Sequence, residues 1–234
     1  MAHILPIFVL SPSRRNQLAL LSFVIDRSDQ IWFASWQHLS LVVQSLTLAV
    51  ALSLILAFLV YDSQKLSAVA NGLSAVGLTI PSFALIGLLI APLGFGVTPS
   101  MVVVTFFAVL PILRNAIVGL NGVDKDIVES ARGIGISRTR TMLTIELPLA
   151  WPIILTGVRI SAQMTMGIAA VAAYVLGPGL GSFIFSGLSR LGGANSLEAV
   201  VVGVVGVILL AFILDLFLVG IGRLTISRGI RVSN

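Results

Sequence analysis

From Leu66 to Leu113 the chain carries no charged residue. A helix of about 20 apolar residues crosses the hydrocarbon of a bilayer, and this run is roughly twice that length. It therefore reads as two membrane spans. Pro92, Gly94, Gly96 and Pro99 interrupt it near its middle, where the chain is expected to turn back. The second span then covers about Leu66 to Ala91 and the third about Met101 to Val118. Leu39 to Tyr61 forms a first span without charge, closed by the polar turn Asp62-Ser63-Gln64-Lys65. A fourth covers about Leu149 to Leu176 and stops at Gly177-Pro178-Gly179-Leu180-Gly181, and a fifth covers about Ala199 to Ile221. Between them, Ser182 to Ser196 is expected to form a short external helix and turn. Pro81 and Pro111 fall inside the second and third spans. Each is expected to kink its helix and to free a carbonyl that a neighbour must satisfy. Gly203 and Gly206 allow close helix approach in the fifth.

Composition agrees. Hydrophobic residues make up 57% of the 234 residues and charged residues only 10%, with a mean hydropathy of +1.09. Soluble domains carry about a quarter charged residues. The expected fold is an all-α, multi-pass integral membrane protein with about five transmembrane helices. There is no cysteine, so disulfides and thiol chemistry are excluded. The net charge of +5 points to basic residues held on the cytoplasmic side of a membrane, not to nucleic acid. Residues 1–37 read as an N-terminal segment lying along the bilayer, with Trp32, Phe33 and Trp36 at headgroup level, or as an extra helix. Residues 38–222 read as the membrane domain and 223–234 as a cytoplasmic C-terminal tail.

The hydrophilic exception is Asp124 to Pro148, within a loop spanning 122–148. Such a polar island must sit in water. Ile127 to Ile134 reads as a short helix, Gly135 breaks it, and Ser137 to Leu147 reads as a second helix with Ser137 as its N-cap. Pro148 closes it and could serve as the first turn of the next span. With this loop in the cytoplasm, Lys65, Arg114, Lys125, Arg132, Arg138, Arg140, Arg223, Arg228 and Arg231 lie inside. Only Arg190 and the N-terminal Arg14, Arg15 and Arg27 lie outside, which is the positive-inside pattern of five spans.

Within the loop, Glu129-Ser130-Ala131 is followed by three residues, Gly135, nine residues, and then Ile145-Glu146-Leu147-Pro148. This resembles the Glu-Ala-Ala loop of the permeases of ABC importers, departing from it only in the small residue Ser130. The resemblance implies the type I ABC-importer permease fold in a bacterial cytoplasmic (inner) membrane. It also implies that Glu129, Ser130, Ala131, Gly135, Ile145, Leu147 and Pro148 form a coupling segment seated on an ATPase subunit. The implied partners are two ATPase subunits, a second permease chain of the same or different sequence, and an extracytoplasmic solute-binding protein. Further stretches, Trp36 to Leu41, Thr79 to Leu85, Gly157 to Ile160, Gly177 to Gly181, Leu214-Asp215-Leu216 and Arg223 to Gly229, are similar to the compact permeases that import osmoprotectants such as glycine betaine, choline and carnitine.

No phosphate-binding Gly-Lys-Ser/Thr loop, nucleophile constellation or metal-ligand spacing occurs, and His3 and His38 are far apart. ATP and magnesium would thus be bound by a partner subunit, and this chain itself is expected to be neither an enzyme nor a metal protein. Arg159 and Asp215 are the ionisable residues within spans, at depths of about 15 Å and 10 Å from the cytoplasmic face. Close enough to pair, they would tie the fourth and fifth helices together or line the solute path. An ABC permease for another small solute, such as an amino acid, shares every coupling argument. A stand-alone secondary transporter would show internal repeats, and a membrane-embedded enzyme would need acid and base groups near one another.

Overall fold

A computed structural model describes the chain over residues 12–226. His3, Arg228, Arg231 and the side chains of Arg14 and Arg15 lie outside the described residues. The chain begins with α1 (Pro12–Asp26), separated from α2 (Ser28–Val60) by a single non-helical residue, Arg27. Helix α2 is 33 residues long, about 50 Å, well beyond the hydrocarbon thickness. The stretch that carries Trp32, Phe33 and Trp36 is therefore not separate from the first span. It is the outer turns of that helix, which begins at Ser28 instead of Leu39, and the three rings remain exposed on it.

The second span is a broken one. Helices α3 (Gln64–Gly77) and α4 (Ser82–Leu93) meet at 93°. Pro81 does not kink a continuous helix, as expected from sequence, but sits before the first residue of α4 with extended backbone (ψ 122°). The proline ring keeps the preceding Ile80 out of helical geometry, and Thr79 closes α3 by donating from both N–H and hydroxyl to Val76 O. The pair still crosses the molecule. It starts at the Tyr61 turn, and beyond its far end Gly96 N–H donates to Val175 O at the opposite end of the bundle.

Helix α5 (Val97–Asn121) is the central element, buried along most of its length against α2 and α8. Pro111 lies inside it without ending it. Two neighbouring hydroxyls bond carbonyls in the turn before it: Ser161 Oγ donates to Ala108 O (2.7 Å) and Ser53 Oγ to Val109 O (3.2 Å). These bonds tie α5 to α8 and α2; the carbonyl that the missing Pro111 N–H leaves without its helical donor is Phe107 O. At the α5–α8 seam, a Cβ on Gly157 would lie 2.6 Å from Asn115 Cβ and 3.0 Å from Pro111 O.

After α6 (Lys125–Gly133), one helical run continues from Arg138 to Val175. It consists of α7 (Arg138–Thr141), a π-helical turn (Met142–Glu146), α8 (Leu147–Ala172) and a closing 3-10 turn (Ala173–Val175). The short second helix expected to close at Pro148 is thus fused to the fourth span. Pro148 is the second residue of α8, directly after the π-helical turn. Helix α9 (Gly181–Leu188) is the short external element, and α10 (Ser196–Thr225) is the last span. Gly203 and Gly206 lie where α10 meets α9 and Leu180, and a Cβ on Gly203 would fall 2.6 Å from Ile184. Among the described residues four helices are long and apolar enough to cross a bilayer, and the bent α3–α4 pair, taken as one span, brings the number to five.

Candidate coupling site

The loop between α5 and α8 folds as an arm on the end of the bundle that also holds the α2–α3 turn. Asp124 starts α6 by accepting from Asp126 N–H at 2.9 Å. Ala131 is buried and anchors the arm, while Glu129 and Ser130 stay exposed. Ile127 (45%) and Ile134 (80%) are exposed apolar side chains on the same short segment, an unusual feature for a solvated loop. Gly135 turns the chain with φ +87°, a left-handed conformation that side chains resist. Ile136 N–H then closes the turn on Ala131 O.

Beyond the turn, Arg138 forms an ion pair with Asp62 and lies 5.8 Å from the Phe58 ring centroid. This pins the second limb of the arm to the α2–α3 turn. Ile145 and Leu147 are half-buried, with Leu147 packing on the cluster built from Ala57, Tyr61, Leu113 and Ile154, while Pro148 is exposed. The segment is therefore two limbs meeting at Gly135. One is the free-standing α6, and the other continues without a break into a membrane span.

A polar pocket of about 260 Å³ lies in the angle between the limbs. Tyr61, Asp62 and Asn121 line it from the bundle, Lys125, Glu129 and Arg132 from α6, and Glu146 from the π-helical turn. The hydroxyl of Tyr61 and Oε1 of Glu146 are buried there as near neighbours, and neither makes a well-formed hydrogen bond. Burial first, and then the Glu146 carboxylate, push the Tyr61 phenol up to about 12, so it stays protonated. Sequence reasoning passed over this pair. Its one signal was an acid, Glu146, standing between apolar neighbours in the Ile145–Pro148 stretch.

Within the membrane, Arg159 meets Asp215 with two hydrogen bonds, Nε to Oδ1 at 2.8 Å and Nη2 to Oδ2 at 2.9 Å. This is the bidentate geometry that favours arginine over lysine. It joins α8 to α10, as does Trp151 Nε1 donating to Thr225 Oγ1 at 2.8 Å. His38 is buried at the other end of the bundle, with Nε2 3.1 Å from Met166 O. There it packs against Gly179 as part of the helix contacts.

The family described as "Binding-protein-dependent transport system inner membrane component" matches residues 49–226. Similar chains include the carnitine transport permease protein OpuCB of Listeria monocytogenes, 33% identical over 73% of this chain and 78% of that one. The choline transport system permease protein OpuBB of Bacillus subtilis is 32% identical over 84% and 88% of the two chains. The glycine betaine/carnitine/choline transport system permease protein OpuCB of Bacillus subtilis is 31% identical over 91% and 96%. In fold, the chain resembles the MetNI methionine ABC transporter in its inward-facing conformations, with a TM-score of 0.71 at 18% identity over 85% of this chain and 99% of that one. The chain belongs to the family of inner-membrane components of binding-protein-dependent transport systems.

Proposed function

We propose that this chain is the permease subunit of an ATP-driven importer of quaternary-ammonium osmoprotectants such as glycine betaine, choline and carnitine. The observation that carries this reading is the set of relatives at 31–33% identity, each named for one or more of these solutes. The chain has no nucleotide-binding loop, so two ATPase subunits supply the hydrolysis. A second permease chain completes the path, and a solute-binding protein delivers the cargo. Solute choice rests largely with that binding protein, since only 7% of the residues are aromatic and quaternary ammonium is selected by aromatic cages.

In this reading α6 is the part gripped by the ATPase, with Glu129, Ser130, Ala131 and the Gly135 turn at the contact. Ile145, Leu147 and Pro148 carry its movement into α8, and the Arg159–Asp215 pair passes it on to α10. The rigid link is the uninterrupted helical run Arg138–Val175. Movement of the arm then tilts a membrane span instead of bending a loop.

The test is uptake into proteoliposomes containing this permease, its ATPase and the binding protein. Glycine betaine, choline or carnitine should be accumulated only with ATP and the ATPase. Glu129→Lys should leave the protein in the membrane while ATP is hydrolysed without uptake. Uptake by the permease alone, or normal uptake by Glu129→Lys, would refute the coupling role. Accumulation of an amino acid instead, the second reading favoured by the fold shared with a methionine transporter, would replace only the solute.

A further inference from the structure

Glu146 is 2% exposed, and no other Asp, Glu, Lys or Arg among the described residues is buried. Its position depends on the π-helical turn Met142–Glu146. Thr141 and Glu146 are both buried, yet an α-helix would set residues at that spacing roughly 140° apart. The wider π turn returns them to one face, and such turns concentrate at functional positions. The chain thus adopts a rare backbone form that buries a carboxylate. Burying a charge is costly unless it is paired, yet no ion pair to Glu146 forms among the described residues. Its close polar neighbour is the neutral Tyr61 hydroxyl, and Oε1 makes no well-formed hydrogen bond.

The bases that could pair with it are on the arm. Lys125, Glu129 and Arg132 line the same pocket along one stripe of α6. Lys125 precedes Glu129 by one helical turn, the spacing that favours pairing along the helix. Arg132 lies in the last turn of α6, next to the Gly135 bend, and is exposed. Its planar fork suits a carboxylate, and Tyr61, held protonated, has a hydroxyl to donate.

We propose that Glu146 is a coupling residue that receives the Arg132 guanidinium when the arm swings toward the base of α8. The bundle then grips α6 directly as well as through the Gly135 bend. The inference rests on the coupling reading given above, and concerns two positions that the motif leaves unspecified.

In the complete reconstituted transporter, Arg132→Ala and Glu146→Gln should each lower uptake per ATP hydrolysed by roughly tenfold, the loss expected on removing a hydrogen bond between charged groups. The exchange Arg132→Glu with Glu146→Arg should recover much of it. Wild-type ratios in both single variants overturn the proposal. So does a stably folded exchange variant no better than the single variants. Independently, Arg132→Cys with Glu146→Cys should cross-link with a short thiol reagent in one nucleotide state of the complex and poorly in the other, and equal cross-linking in both states counts against a swing. Glu129→Lys separates the two levels. If it uncouples while the Arg132 and Glu146 variants do not, only the ion pair fails. If it has no effect either, the coupling reading itself fails.

Discussion

Asp215 and Glu146 both bear on the helix that starts at Arg138, and the fold treats them in opposite ways. Asp215 is held by two hydrogen bonds from Arg159, whereas Glu146 is more deeply buried and faces a pocket without an ion pair among the described residues. Location explains the contrast. A charge within the apolar part of the bundle has no water to fall back on, so its pair must be present in every state. Glu146 lies at the arm's end of the bundle, in one pocket with basic residues of the limb that meets the bundle at the Gly135 bend, so its pairing can depend on the position of that limb. A permanent pair adds stiffness, while a conditional one adds a force that differs between states.

Removing the permanent pair should have the largest effect on stability. Asp215→Asn leaves Arg159 unmatched and is expected to cost roughly 2–4 kcal/mol, read as a lowered thermal transition of the detergent-solubilised protein. The exchange Arg159→Asp with Asp215→Arg should restore it. Glu146→Gln should keep that transition within about 1 kcal/mol of wild type, because no protein contact is lost. A Glu146→Gln protein as unstable as Asp215→Asn would erase the distinction between the two carboxylates.

Next in size is Gly157→Leu, which forces a side chain into the α5–α8 seam against Asn115 and Pro111. A loss of roughly 1–3 kcal/mol is expected in the same measurement. Gly135→Val should cost about 1–2 kcal/mol, because of the left-handed backbone. Its consequence should appear in uptake and not in the amount of folded protein in the membrane, which sharpens the contrast between a stiff bundle and a hinged arm. The smallest effect belongs to Ser161→Ala. It removes the hydroxyl that accompanies Pro111 in α5 and should lower stability by about 1 kcal/mol or less.

Much of this arrangement can be read along the chain. Charge-free runs locate the spans because hydrocarbon excludes charge, and the spacing from Glu129 to Pro148 locates the arm. Arg159 and Asp215 stand out as isolated charges in apolar runs at similar depth. Other features cannot be read this way. Whether Pro81 bends or breaks its helix depends on packing around it, and the 93° corner between α3 and α4 leaves no separate trace in hydropathy. The start of α2 at Ser28 was hidden by Asp29 and the aromatic residues, which look interfacial whether or not the helix continues through them. Pro148 marks the junction of the second limb with the fourth span, but not that the helix runs through the junction without a break.

The sequence by itself determined the membrane class and the polar arm, since these depend on where charge can reside, a property of each residue in its local stretch. Only the tertiary structure decided which carboxylate is paired and which is not. That outcome depends on the π-helical turn, on the Arg138–Asp62 tie that pins the second limb, and on Tyr61 arriving from α2. Contacts between residues distant along the chain form only when the helices pack, and no local pattern specifies them.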